Sequence, residues 1–167
     1  MSTDGDIYNG LKIAYKNYFK FLEYLHNKKI VYFNYISYKV LNDNDESLIM
    51  RIHVGDIVEI EVEDDGISYA IVQAIFLHTY NNNKTYPFYF LKWFEKIKGK
   101  NGVDTLMMCQ KYKICIEREK YLNIFPISFI TSMPKIHFVH QCVDNCLIGS
   151  HDLSQPYLLN EFFYNAI

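Results

Sequence analysis

The chain contains few residues that interrupt regular structure: its 167 residues include only seven glycines and four prolines. This scarcity excludes the collagen-like and the Pro/Gly-rich disordered classes. Half of the residues are hydrophobic and 17% are aromatic, which is enough for one domain with a full-sized core. There are 15 Tyr and 12 Phe but a single Trp. Abundant aromatic and β-branched residues favour strands that bury one face.

Long apolar segments and common catalytic motifs are also missing. No apolar run approaches the ~20 residues of a membrane-spanning helix, and the opening MSTDGDIYNG is too polar for a secretion signal. Four cysteines without such a signal indicate reduced thiols or a metal site rather than disulfides. No glycine-rich phosphate loop, H-E-x-x-H or G-x-S-x-G motif occurs. We therefore predict that the protein is not an enzyme.

Charge is segregated along the chain, although the net charge is only −2. Residues 41–66 hold nine acids against one Arg, and residues 92–120 hold eight Lys or Arg against four acids. An acidic surface attracts basic partners, while a basic one can contact nucleic-acid phosphates. The alternative is that both segments are simply solvated strand faces.

The first element predicted is an amphipathic helix over residues 6–27. Apolar residues recur there at spacings of three and four, which places them on one helical stripe. They are Ile7, Leu11, Ala14, Tyr18, Leu22 and Leu25. Such a helix must dock its stripe on another element.

From residue 31 onward the apolar period changes to two, which predicts strands. IVEIEVE (57–63) alternates aliphatic and acidic residues, and Asp64-Asp65-Gly66 after it is a hairpin signal. Further strands are predicted at 31–40, 48–54, 68–77, 86–94, 105–116, 122–130, 135–141 and 158–167. Strands of similar length separated by turns predict a mainly β fold, a closed or nearly closed antiparallel barrel.

The segment RIHVGDIVEIEVEDDGISYAIVQAIF, followed by FYFLKWF, resembles the opening of a BAH (bromo-adjacent homology) domain. YLNIFPISFI, KIHFVH and NEFFYNA are similar to later parts of that family. The likeness covers residues 30–167 and leaves residues 1–29 as an N-terminal helical extension. It implies a BAH-like β-barrel that binds proteins on chromatin, and so a nuclear protein.

Some BAH domains hold a methylated histone lysine in a cage of aromatic side chains. The resemblance places the cage at Tyr69 and Trp93, with Glu95 as the acidic member and Tyr121 as a third aromatic, for which Tyr112 is an alternative. The implied partner is a histone tail or another basic peptide. Two alternatives remain: a scaffold of the same fold whose aromatics are buried, and a nucleic-acid-binding module that uses residues 92–120.

Cysteine and histidine residues cluster in HFVHQCVDNCLIGSHD (137–152). Cys142 and Cys146 have the C-x3-C spacing of zinc ligands, and His140 lies two residues before Cys142. With His151 they supply the four ligands of a closed structural zinc site. The alternative is a chance gathering of buried thiols and surface histidines.

Zinc content tests this site. We expect elemental analysis to find one zinc ion per chain, and chelation to lower the melting temperature, because four protein ligands would pin residues 142–156. Cys146→Ser should lose the metal. Cys115→Ser is the matched control, because Cys115 lies on a strand pattern and is predicted to pack inside. Unchanged melting after chelation would contradict the site.

Overall fold

The computed structural model describes residues 4–22, 24–27, 29–41, 47–62, 66–97, 111–115, 123–129, 136–140 and 156–160. Within these ranges there are one α-helix, one 3-10 helix (Ile127–Phe129) and ten strands. The elements are α1 (Asp4–Phe19), β1 (Ile30–Phe33), β2 (Tyr35–Leu41), β3 (Ser47–His53), β4 (Ile57–Val62), β5 (Gly66–Thr79), β6 (Thr85–Lys96), β7 (Lys111–Ile114), β8 (Ile124–Pro126), β9 (Phe138–His140) and β10 (Tyr157–Leu159).

Eight of these strands form one antiparallel sheet in the order β1-β5-β6-β7-β10-β9. Strand β4 also pairs with β5, and β8 also pairs with β6, while β2 and β3 form a separate hairpin. The sheet is curled into a half-barrel over the described residues. The predicted mainly β, antiparallel architecture is therefore confirmed, whereas closure of the barrel and its likeness to BAH domains stay predictions.

Strand β4 follows the predicted alternation. Val58 and Ile60 are buried, Glu59 is half-buried and Glu61 is exposed. The hairpin predicted after β4 is confirmed, because Val62 of β4 pairs with Gly66 of β5. Gly66 has a φ of 67°, a left-handed conformation that glycine adopts without steric cost.

The strand predicted over residues 31–40 is interrupted at Asn34. The Asn34 carbonyl accepts a hydrogen bond of 2.9 Å from the Val54 N–H. This bond anchors a bend, so that β1 joins the main sheet while β2 pairs with β3. Alternating composition did not indicate the bend, because the contact that holds it comes from a residue distant in sequence.

Helix α1 ends at Phe19, eight residues before its predicted end. Lys20 has a φ of 59°, and the Phe21 N–H donates to the Tyr15 carbonyl at 3.1 Å. A left-handed residue directly after the last helical residue is the C′ position of a helix C-cap, and the Tyr15 and Phe21 rings stack 6.0 Å apart across it. Leu22, predicted on the buried stripe, is consequently 82% exposed.

One face of α1 packs on the sheet. Leu11, Ala14 and Tyr15 are buried in one core cluster with Phe76 of β5 and Phe88 of β6. The predicted division at residue 29 thus separates elements that share a core, and the division into an extension and a domain stays a prediction.

A β-bulge divides the longest strand pair. Val72 pairs with Leu91 and Ala74 with Phe90, so that Gln73 is an extra residue in β5. Side chains alternate along a strand, and one inserted residue reverses the alternation. Before the bulge Val72 enters the core cluster covered by the β2–β3 hairpin, and after it Phe76 enters the cluster beneath α1.

The C-cap of α1 gives a stability prediction. Lys20→Gly should raise the free energy of unfolding by about 0.5–1 kcal/mol, because glycine has no Cβ to strain in the left-handed region. Lys16→Gly is the matched control inside the last turn and should lower it by about 1 kcal/mol. Urea denaturation measures both, and a loss of stability in Lys20→Gly would contradict the C-cap assignment.

Candidate functional site

Tyr69 belongs to an aromatic cluster on one face of the sheet. Its ring meets the rings of Tyr112 and Phe138 edge-on, with both centroid distances at 5.6 Å. Tyr112 and Phe138 are 5.1 Å apart, also edge-on. Tyr69 and Tyr112 remain half-buried. These three rings, together with Phe94 and Tyr157, are called the aromatic cluster below.

The curl of the sheet brings these rings together. Phe94 of β6 stacks on Phe138 of β9 at 4.4 Å and 2° between planes, although two strands lie between β6 and β9. Tyr157 of β10 contacts Phe94 edge-on at 5.3 Å, and burial raises the pKa of the Tyr157 hydroxyl. Offset and edge-on aromatic pairs each add about 0.5–1.5 kcal/mol beyond the buried area. The cluster therefore stabilises the curl of the sheet by joining β6 to β9 and β10 on this face.

Carboxylates flank the exposed side of the cluster. Glu59 of β4 is the direct cross-strand partner of Tyr69, and Glu61 is the partner of Ile67. Directly opposite side chains in an antiparallel pair have Cβ atoms about 4.5–5.5 Å apart. Glu59 therefore lies next to the Tyr69 ring. On the other side of the cluster, Lys96 is the cross-strand partner of Tyr112.

Trp93 belongs to a different core. It is 5% exposed and meets Phe125 of β8 edge-on at 5.3 Å. It pairs with Ala70, and Ala70 is buried with it in the cluster covered by the β2–β3 hairpin. Tyr69 precedes Ala70 and so lies on the opposite face of the sheet. The structure therefore places Tyr69 and Trp93 on opposite faces of the sheet and does not bring their rings together.

The acidic residue predicted for the cage lies on the Trp93 side. Glu95 is two residues beyond Trp93 and therefore shares its face. Its Oε1 accepts a hydrogen bond of 3.1 Å from the Cys115 thiol, and its Oε2 lies 3.2 Å from the Lys113 ammonium. Tyr121, the predicted third aromatic, lies outside the described residues. Tyr112, the alternative, is the residue that contacts Tyr69.

The predicted zinc ligands are almost entirely outside the described part of the chain. His140 ends β9, where its backbone pairs with Tyr157, and its side chain is not described. Cys142, Cys146 and His151 lie outside the described residues. Among the residues that are described, no three His, Cys, Asp or Glu side chains gather as metal ligands.

The basic segment 92–120 is described only on β6 and β7. Lys92, Lys96, Lys111 and Lys113 lie on these strands, and Lys113 is paired with Glu95. An ion pair reduces the charge that Lys113 offers to a phosphate. The remaining basic residues of this segment lie outside the described ranges.

A buried polar network that the sequence did not suggest links α1 to the sheet. His78 of β5 is 1% exposed, and its Nε2 lies 3.0 Å from the Asn27 carbonyl. A carbonyl only accepts, so Nε2 carries the proton and Nδ1 accepts the Tyr15 hydroxyl at 2.8 Å. Burial lowers the pKa of His78, against the opposing effect of the Asn27 hydrogen bond, and burial raises the pKa of Tyr15. Continuing the alternation from Phe76 to residue 78 would have located this histidine.

Comparison with known proteins adds no relative: no protein-family model, curated protein or solved structure matches the chain. Within the described ranges, no helix has the length and apolarity required to cross a membrane.

The His78 network predicts a pH dependence of stability. The pKa of His78 is lowered in the folded protein, so the unfolded chain takes up a proton first as the pH falls. The contribution of His78 to the free energy of unfolding should be complete above pH 6.5 and should decline below it, with a slope of at most about 1.4 kcal/mol per pH unit. Denaturation of the wild type and of His78→Gln across this window measures the slope.

His78→Gln should remove this slope and lower stability at neutral pH by about 1–3 kcal/mol, because a flexible amide does not reproduce the geometry of the two imidazole hydrogen bonds with Tyr15 and Asn27. His26→Gln is the matched control, since the His26 side chain is exposed and the slope should persist. An unchanged slope in His78→Gln would show that other groups cause the acid sensitivity.

Proposed function

We propose that this chain is a protein-binding module of the BAH-like type, which binds a basic histone-tail peptide on chromatin at the aromatic cluster. The observation that carries the proposal is the half-buried Tyr69 ring, edge-on to Tyr112 and directly across from Glu59. The resemblance of residues 30–167 to BAH domains supports the choice of partner. A histone partner places the protein in the nucleus, and no catalytic role is proposed.

Electrostatics make this surface suitable for a methylated lysine. A methylammonium keeps its charge but is poorly hydrated, and its contact with an aromatic face stabilises it by about 0.5–2 kcal/mol. The Glu59 carboxylate adds attraction for the same cation. The cluster rings contact one another, so the ligand would lie against the exposed part of Tyr69 and Tyr112 rather than between Tyr69 and Trp93.

Binding of a partner without recognition of methyl-lysine is the second candidate function. The edge-on packing of Tyr69, Tyr112 and Phe138 favours it, because rings in mutual contact present less surface to a cation. Nucleic-acid binding through residues 92–120 is less favoured, since Lys113 is already paired with Glu95. The structural zinc site at residues 140–151 is compatible with each of these functions.

Peptide titration separates these functions. We expect histone-tail peptides to bind more tightly when a lysine is methylated, and Tyr69→Ala to weaken that binding roughly 5- to 30-fold, which corresponds to about 1–2 kcal/mol of lost cation–π contact. Glu59→Gln should weaken it less and flatten the salt dependence, because a peripheral charge acts mainly on the encounter rate. Fluorescence polarisation at several salt concentrations measures both effects.

Two control variants define the outcome. Tyr35→Ala removes an exposed tyrosine from another part of the chain and should leave the affinity unchanged. Trp93→Phe should lower the melting temperature without changing the preference for methylation, because Trp93 is buried on the opposite face. Equal affinity for methylated and unmodified peptides in the wild type and in Tyr69→Ala would reject methyl-lysine recognition at this cluster.

A further inference from the structure

Large apolar side chains are exposed where β1 bends into β2. Val31, Phe33, Tyr35 and Val54 are 43%, 43%, 50% and 44% exposed. These four residues are called the bend patch below. The bond from the Val54 N–H to the Asn34 carbonyl brings Val54 to the bend between Phe33 and Tyr35. Isolated apolar residues on a surface are ordinary, but a group at one place marks an interaction site. The bend patch takes no part in the aromatic cluster.

The bend patch continues a buried core. Val31 and Phe33 lie on one face of β1, opposite Leu77 and Ile75 of β5. Ile75 belongs to the core cluster that also contains Ile52 of the β2–β3 hairpin. The hairpin covers this core up to the bend at Asn34, and the apolar surface extends beyond its cover.

Strand β1 lacks the devices that protect a sheet edge. Natural edge strands carry Lys, Pro, inward charges or bulges that discourage pairing with other chains. The sequence of β1, IVYF, contains no charge and no proline, and its register with β5 has no bulge. Among the described strands β1 pairs with β5 alone. An apolar edge that no described strand covers is consistent with a partner that covers it.

Cations lie beside the bend patch, whereas the nearby Asp56 carboxylate is held by His53: it accepts from the His53 N–H at 2.8 Å and lies 3.5 Å from its Nδ1. The Arg51 guanidinium lies over the Tyr35 ring, 4.9 Å from its centroid, and its Nε donates to the Ser37 hydroxyl at 3.3 Å. Lys29 precedes β1 and is exposed, and exposed Lys39 shares a strand face with Tyr35. These cations favour a partner that carries carboxylates.

A second copy of the chain fits this surface poorly. A twofold contact brings the same surface of both copies together, so the cations beside the bend patch in both copies would share one interface. Like charges placed together at an interface oppose association. We therefore propose that the bend patch binds a segment of another protein in which apolar side chains are combined with acidic residues.

Selection from a library of displayed random short peptides on the immobilised full chain tests this proposal. Enriched peptides should combine a net negative charge with at least two large apolar residues. Arg51→Glu and Tyr35→Ser should each weaken their binding at least about tenfold, because each removes a central contact. Leu22→Ser, which alters the most exposed leucine outside the patch, should bind as the wild type does. Circular dichroism melting confirms that each variant is folded.

The remaining outcomes are also decisive. Peptides that are basic, or that bind Arg51→Glu and Tyr35→Ser as tightly as the wild type, would overturn the proposal. Sedimentation that shows a dimer abolished by Tyr35→Ser would assign the patch to a second copy instead. Tyr69→Ala should still bind the acidic peptides, so the proposal on the aromatic cluster and the proposal on the bend patch can fail independently.

Discussion

The pairing of β5 with β6 is the constraint on which the other elements depend. It extends from Ala70 and Trp93 to Thr79 and Thr85 and has buried cores on both of its faces. Each side chain along it is assigned to one face by the alternation of the strand. A slip of one residue would move Trp93 to the other face, so register and core composition are specified together. Helix α1, the β2–β3 hairpin and the curled strands each cover part of this pair.

The sequence predicted the features that depend on local chemistry. The alternation of β4, the glycine at the β4–β5 hairpin and the abundance of aromatic residues indicated an antiparallel, mainly β architecture. The start of α1 was within two residues of its observed position, but its end was not. Its C-cap uses Lys20 in a conformation that glycine normally adopts, and therefore carries no compositional signal.

Features that depend on a distant partner were not predictable in this way. The bulge at Gln73 exists only relative to β6, and the hydrogen-bond partners of His78, Tyr15 and Asn27, lie far from it in sequence. The arrangement of the predicted cage residues could not be derived from the sequence either. Resemblance supplied the identities of Tyr69 and Trp93, but the order of motifs along a chain does not specify which face of a sheet each side chain occupies. The contact between Tyr69 and Tyr112 became visible only when the curl of the sheet was known.

The single tryptophan gives this protein an intrinsic optical probe. The Trp93 indole is buried against Phe125 in one core, and the aromatic cluster lies on the other face of the same strands. Its emission therefore reports the hydration of one defined point beneath the β2–β3 hairpin. A change in emission wavelength would signal that this core had opened to water. The sheet separates an agent bound at Tyr69 from the Trp93 indole, so such an agent would not quench the emission by direct contact.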